Sequence, residues 1–190
     1  MTVVERTLDS LHTLTFTSED VLHSLYFPAF RVKADAIPGR YSAVWFEATK
    51  VGQYHLFCAE YCGSAHAFMG FQVVAQPRAQ FDAWLRAQAQ PAPAPRSAAT
   101  RHGAQLFLRH GCGGCHAVRG SGARGGLGPD LTHVGSRIGI GAGMLGSNPE
   151  QFARWIAHTG ALKPGVHMPG YDMLQATELA ALAAYMESLQ

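Results

Sequence analysis

Q-A-Q-P-A-P-A-P-R-S-A-A, from Gln88 to Ala99, is the stretch that divides this chain. Proline alternating with alanine favours an extended polyproline II backbone, and the near absence of charge fits a semi-rigid spacer between domains. The apolar period changes across it, from near two on one side to near 3.6 on the other. The reading is therefore two domains: residues 1–87, all-β, and residues 100–190, all-α, joined by a linker at 88–99.

Upstream of the spacer, Thr13–Thr17 alternates Leu14 and Phe16 with threonine, the pattern of a half-buried strand. Ile37-Pro38-Gly39-Arg40 supplies turn chemistry, and Tyr41–Thr49 follows as an aromatic-rich strand. Tyr54–Cys58 and Gly70–Ala75 read as two more strands, and Gln80–Ala87 as one or two turns of helix. Trp45 and Trp84 are expected in the core or at domain packing.

Downstream, Ser97 to His110 carries Leu106 and Phe107 on a short helix that stops at Gly111. Asn148-Pro149-Glu150 is an N-cap with proline in the first turn, opening a helix to about His158. Thr177-Glu178 opens another, with Leu179, Leu182, Ala183, Met186 and Leu189 as its apolar stripe. Long glycine-rich loops at 120–128 and 135–146 separate these helices. So little helix around so much loop calls for a cofactor at the centre.

The chain has 190 residues, a net charge of +2 and no Lys/Arg block, which gives no reason to expect nucleic acid as a partner. No run approaches the roughly 18–20 apolar residues of a membrane helix, and no signal peptide opens the chain, so a soluble polypeptide is expected. The four cysteines form two tight pairs, Cys58/Cys62 and Cys112/Cys115, each with a histidine close behind. That spacing reads as metal or haem chemistry rather than a disulfide framework.

Cys112-Gly113-Gly114-Cys115-His116 is a C-x-x-C-H haem-attachment motif. Two thiols add across the haem vinyl groups, and His116 is then held under the iron. A dithiol or half a zinc site does not require histidine directly after the second cysteine. The sixth ligand should lie downstream, where Met144, Met168, Met173 and Met186 are available. Met186 sits in a helical stripe, Met173 reads as ordinary core and Met144 lies in a glycine loop. Met168 lies in a proline-restricted loop, with His167 as its rival. Trp155 is expected near the haem, and Arg101, Arg109 and Arg119 are candidates to steer its propionates.

From about Ser97 to Leu189 the chain resembles class I cytochromes c: Gly103 and Phe107, the C-x-x-C-H motif, Gly128-Pro129-Asp130-Leu131, then Met168-Pro169. The resemblance implies that Met168 is axial and that Gly103 and Phe107 pack against Tyr185. It also implies that the Pro129 carbonyl accepts the ring N–H of His116, the outer contact that orients such a ligand.

The first pair lies in C-A-E-Y-C-G-S-A-H-A-F-M, Cys58 to Met69. Zinc takes thiolate and imidazole but has no use for the Met69 thioether. Thiolate, imidazole and thioether together select copper, and a mononuclear blue-copper site needs only one of the two thiolates. The surplus fits two coppers sharing bridging Cys58 and Cys62. Each then needs one imidazole, His66 for one and upstream His23 for the other. Met69 is the weak ligand of one copper and the main-chain carbonyl of Glu60 that of the other. Carboxylates such as Asp20 read as ordinary solvated groups or as props for this loop.

D-V-L-H-S, A-I-P-G-R-Y and F-C-A-E-Y-C-G-x-x-H-x-x-M, in that order from about Leu14 to Ala75, are similar to the CuA cupredoxin domain of cytochrome c oxidase subunit II. The whole chain resembles bacterial subunit II variants with a fused C-terminal haem domain. That implies a partial cupredoxin-like Greek-key sandwich followed by a cytochrome c fold. The family's copper ligands fall on His23, Cys58, Glu60, Cys62, His66 and Met69. Implied cofactors are two copper ions and one covalent c-type haem, and the implied partners are catalytic subunit I and a donor such as a cytochrome c or a quinol-oxidising complex. The expected place is the outer, periplasmic face of a bacterial membrane, held through partner subunits. Family members begin with membrane helices and further strands, so the chain reads as N-terminally shortened. A free haem/dicopper carrier and a copper or redox sensor are the competing functions.

Overall fold

The structure is a computed structural model that describes residues 3–7 and 11–190. Residues 1, 2 and 8–10, which the expected first domain includes, lie outside the described residues. Two compact units are present, one formed by residues 1–87 with 142–144 and one formed by 88–141 and 145–190.

Among the described residues the first unit holds seven strands: β1 (Val3–Thr7), β2 (Leu11–Phe16), β3 (His23–Phe27), β4 (Val32–Ala36), β5 (Ser42–Glu47), β6 (Gly52–Cys58) and β7 (Gly70–Gln76). They form a five-stranded sheet in the order β1-β7-β6-β3-β4 and a two-stranded sheet of β2 and β5. β1 runs parallel to β7 and covers its edge, from Val3 opposite Gln72 to Thr7 opposite Gln76. The other pairings are antiparallel. Strand alternation sends Phe27, Val44, Phe46, Leu56 and Val73 inward to one core, joined by Leu14 and Phe16. Phe30 stacks on Phe46 at 4.6 Å between ring centroids. Each ring buried this way contributes roughly 1.5–3 kcal/mol.

The same alternation corrects the reading of Trp45. Val44 and Phe46 take the inner face of β5, so Trp45 faces outward and is 67% exposed. Strands β3 and β4, for which no strand was expected, follow the alternation with unusual residues. In β3 the inner positions are Leu25 and Phe27; Ser24, on the opposite face, is buried all the same, donating to the Asp35 carboxylate across the pair at 2.7 Å. In β4 the inner positions are Val32, Ala34 and Ala36. The helix after β7, α1 (Arg78–Gln88), is longer than expected and has no fully buried residue. Among the described residues no helix is long and apolar enough to cross a membrane.

In the second unit, residues 91–96 carry no regular structure. The Ala92 amide donates to the Arg119 carbonyl at 2.9 Å, and His133 Nε2 donates to the Gln88 carbonyl at 3.3 Å. The spacer's early residues are thus laid against this unit. Helices α2 (Ala98–Arg109), the single turn α3 (Cys112–Cys115), α4 (Pro149–Leu162) and α5 (Ala176–Ser188) frame it, with a minimal hairpin of β8 (Gly139–Ile140) and β9 (Leu145–Gly146). Ser97 caps α2 reciprocally with Thr100, and Asn148 caps α4 by accepting from the Gln151 amide at 2.9 Å.

The core is Leu106, Phe107, Phe152, Ile156, Leu182, Tyr185 and Met186 with their neighbours. Trp155 packs against it, whereas Met173 is 73% exposed and is not core. α2 crosses α5 at Gly103, where a Cβ would lie 2.0 Å from the Ala181 carbonyl oxygen and 2.7 Å from Tyr185 Cβ. Phe107 meets the Tyr185 ring edge-on at 5.8 Å. Gly103→Ala must push one helix backbone off another, so we expect a loss of about 3 kcal/mol, the upper end for overpacking. Urea unfolding of the haem-loaded chain checks this, and an unchanged midpoint would show that the crossing can relax.

Candidate metal and haem sites

Three strand ends build the first site. His23 opens β3, Cys58 closes β6, and Met69 immediately precedes β7. The two feet of the Cys58–Met69 loop are tied together by the Cys58 amide donating to the Met69 carbonyl at 3.2 Å. The Ala59 amide donates to the Ser24 carbonyl at 2.9 Å, which fastens the loop to β3 beside His23. A short 3-10 turn, His66–Phe68, brings the imidazole back toward the thiols.

All six residues singled out from the sequence converge. Cys58 Sγ and Cys62 Sγ are 3.7 Å apart. His23 Nδ1 lies 3.8 Å from Cys58 Sγ, and His66 Nδ1 lies 3.6 Å from Cys62 Sγ. Met69 Sδ is 3.1 Å from Cys62 Sγ, and the Glu60 carbonyl oxygen is 3.2 Å from Cys58 Sγ. Each sulfur thus has one imidazole and one weak donor. The donor set fits a soft cation, since thiolate, imidazole and thioether are the ligands copper prefers. Exposed Tyr61 and Phe68 flank the loop.

Asp20 is a contributor the sequence left undecided. Its Oδ1 accepts from His23 Nε2 at 2.8 Å, which leaves Nδ1 as the lone-pair nitrogen facing the thiols. Ser18, itself buried, donates to that carboxylate at 3.1 Å. The His23 hydrogen bond holds the Asp20 carboxyl at about 2. Burial lowers His23, but its bonds to Asp20 and Cys58 outweigh this and hold the imidazole above its ordinary value. An acid three residues ahead of a ligand-type histidine was the available signal.

The two thiols are not equivalent. Burial pushes Cys58 up, yet main-chain groups of Ser24 and Glu60 and the imidazoles of His23 and His66 bring it down to about 6. Cys62, desolvated and facing Cys58, is pushed up to about 11. In copper-free, haem-loaded protein, iodoacetamide should therefore label Cys58 at neutral pH and spare Cys62, because the thiolate is the nucleophile. The labelling rate should rise through about pH 6, not near the ordinary thiol value. Equal labelling of both cysteines would contradict this asymmetry.

In the second unit, α3 places Cys112 half-buried and Cys115 exposed, one turn apart. His116 follows in extended backbone and donates from Nδ1 to the Pro129 carbonyl at 2.8 Å. The loop before Pro129 is wrapped tightly round the motif. Gly128 donates its amide to the Cys115 carbonyl at 2.7 Å, and a Cβ on Gly128 would sit 2.4 Å from His116 Cε1. The ring is clamped between that glycine and its carbonyl, with Nε2 left for an iron. Met168 and Cys112 both pack against the one helical core, whereas His167 is exposed. Two thiols, an oriented imidazole and a partly buried thioether fit a covalent haem. The arginines offered for its propionates have protein partners: Arg109 pairs with Glu178 at 2.9 Å, Arg101 donates to the Arg96 carbonyl and Arg119 to the Gln88 carbonyl.

A β-sheet unit with a paired-thiol cluster is thus followed by a helical unit with a C-x-x-C-H turn. Residues 3–76 match the family described as cytochrome C oxidase subunit II, periplasmic domain, and residues 100–190 match the family described as cytochrome c. The first match falls within the first unit and the second, save for 142–144, within the second. These families imply copper in one unit and haem c in the other.

The chain is 37% identical over 188 residues to cytochrome c oxidase subunit 2 of Alkalihalophilus pseudofirmus, covering 99% of this chain and 53% of that one. It is 34% identical over 184 residues to cytochrome c oxidase subunit 2 of Bacillus sp. (strain PS3), covering 91% and 51%. The chain thus spans about half the length of these curated relatives. A crystal structure of the periplasmic domain of subunit II of cytochrome oxidase (CoxB) of Bradyrhizobium japonicum is 34% identical, with a TM-score of 0.45 over 46% of this chain and 63% of that one.

Proposed function

We propose that this chain is the electron-transfer subunit of a haem–copper terminal oxidase, relaying single electrons from a donor to the catalytic subunit that reduces oxygen. When bound, a c-type haem and a pair of coppers supply the one-electron couples of that relay, in the order donor, haem, copper, catalytic subunit. The observation that carries this reading is the doubled thiol: two sulfurs 3.7 Å apart, each with its own imidazole. A redox dithiol, a zinc knuckle or a catalytic cysteine has no use for that arrangement together with a thioether.

His23, Cys58, Cys62, His66, Met69 and the Glu60 carbonyl would hold two coppers. Cys112, Cys115, His116 and Met168 would hold the haem, with the Pro129 carbonyl orienting His116. The chain's own work is to fix these donors in place. Main-chain ties at Cys58, Ala59 and Met69, and the Asp20 bond to His23, hold the copper ligands so that little has to move when charge changes. The partners are catalytic subunit I and an electron donor such as a cytochrome c. The place is the outer face of a bacterial cytoplasmic membrane, with attachment through those partners.

The test is purification of the tagged chain from its own host in mild detergent. The proposal expects a large haem- and copper-containing membrane subunit to accompany it, with oxygen uptake from reduced cytochrome c. Recovery of the chain alone, with both groups bound and redox-active, would favour a free-standing carrier instead.

A further inference from the structure

We propose that Thr159 is a positioning residue for Met168, acting through the main chain of the loop that carries the thioether. The inference rests on Met168 being the second axial ligand of the haem. Its origin is a break in α4. His158 adopts φ −132° and ψ 35°, which interrupts the helix before its last turn. No proline causes it, since Pro149 stands at the helix start.

The break faces the Met168 loop. Just ahead of it, the Ile156 carbonyl accepts the Tyr171 amide at 3.0 Å. The Ala157 carbonyl oxygen lies 2.8 Å from where a Cβ on Gly170 would stand, so the loop touches α4 backbone to backbone. Just beyond the break, Thr159 is 0% exposed, and its hydroxyl donates to the Met168 carbonyl at 2.9 Å. On its other side the loop is held by the Tyr171 hydroxyl, which donates to the His110 carbonyl at 3.4 Å, two residues ahead of Cys112.

A threonine inside a helix ordinarily bonds back to a carbonyl of its own preceding turn. Thr159 reaches out of the helix instead, to the carbonyl of the one residue whose side chain is wanted at the iron. A neutral thioether is a weak ligand, so how much of the time it stays bound depends on how little freedom its loop has to lose. With the hydroxyl removed, the Met168 carbonyl is left without its buried donor, and the loop no longer sits at its most stable with the sulfur presented.

The experiment uses the full chain with haem attached and ferric, titrated with imidazole as a competitor for the sixth position. Thr159→Val should bind imidazole roughly tenfold more tightly, the factor expected for loss of one buried hydrogen bond, while Thr159→Ser should stay within about twofold of the parent. If valine prevents haem attachment, Thr159→Ala gives the same comparison. Met168→Ala is the control: unchanged imidazole affinity and sulfur-to-iron absorption there would refute the axial reading itself. If Met168 proves axial but the valine variant loses only unfolding stability and keeps the parent imidazole affinity, Thr159 is merely structural and the proposal is wrong.

Discussion

Cys62→Ser is expected to abolish the shared-copper signal while leaving the haem attached and its spectrum unchanged. Cys62 Sγ is where most of the site's contacts meet: Cys58 Sγ at 3.7 Å, His66 Nδ1 at 3.6 Å and Met69 Sδ at 3.1 Å. A serine hydroxyl is a hard donor that keeps its proton at neutral pH, so one soft anionic bridge disappears and nothing replaces it. A single thiolate can serve a single copper at most. Copper content should fall from two per chain to one or none. The haem motif is built by a separate unit, around α3 and the loop to Pro129, and has no reason to respond. Retention of two equivalent coppers in the serine variant would sink the bridging arrangement.

Met168→Ala should leave the haem covalently attached through Cys112 and Cys115 but lower its reduction potential. A Met/His pair raises the potential because the soft thioether favours the ferrous iron. Axial ligation moves haem potentials across roughly 0.8 V, so the expected fall is large compared with that of any surface substitution. The other methionines are poor substitutes. Met186 is buried within α5, and Met173 is 73% exposed. His167 is exposed beside Met168 and is the rival. An unchanged potential in a redox titration would transfer the axial role to His167 or to another methionine.

The sequence reading is strongest where chemistry is local. Caps at Ser97 and Asn148 mark helices that begin where expected, and the period-two runs mark β2, β5, β6 and β7. The copper loop was legible because five of its six donors lie within twelve positions, and the sixth, His23, opens the strand that the loop is tied to. Reading failed where a residue's role is set by a partner far along the chain. β3 hides behind a polar outer-face serine that is buried by its bond to Asp35, and β4 hides behind alanines that pack without looking apolar. Trp45 is hydrophobic in kind, but the strand's alternation gave the inner face to its neighbours. Thr159 is an unremarkable residue in sequence; its task exists only because α4 breaks at His158 and the Met168 loop returns to that break.

Asp20 lies between these cases. Its spacing to His23 is visible in sequence, but the choice between a solvated carboxylate and a partner of the imidazole needed the 2.8 Å contact. That contact also distinguishes the two histidines. His23 has a carboxylate behind it, whereas His66 has the Tyr61 ring edge-on at 5.8 Å.

The most direct test of the account is metal analysis with electron paramagnetic resonance on the copper-loaded, haem-containing chain. Two coppers sharing Cys58 and Cys62, with one unpaired electron spread equally over both nuclei, give a seven-line hyperfine pattern and two coppers for each haem. A four-line pattern from one isolated copper, or a chain that takes up zinc in preference to copper, would contradict the shared-thiolate centre on which the proposed function stands.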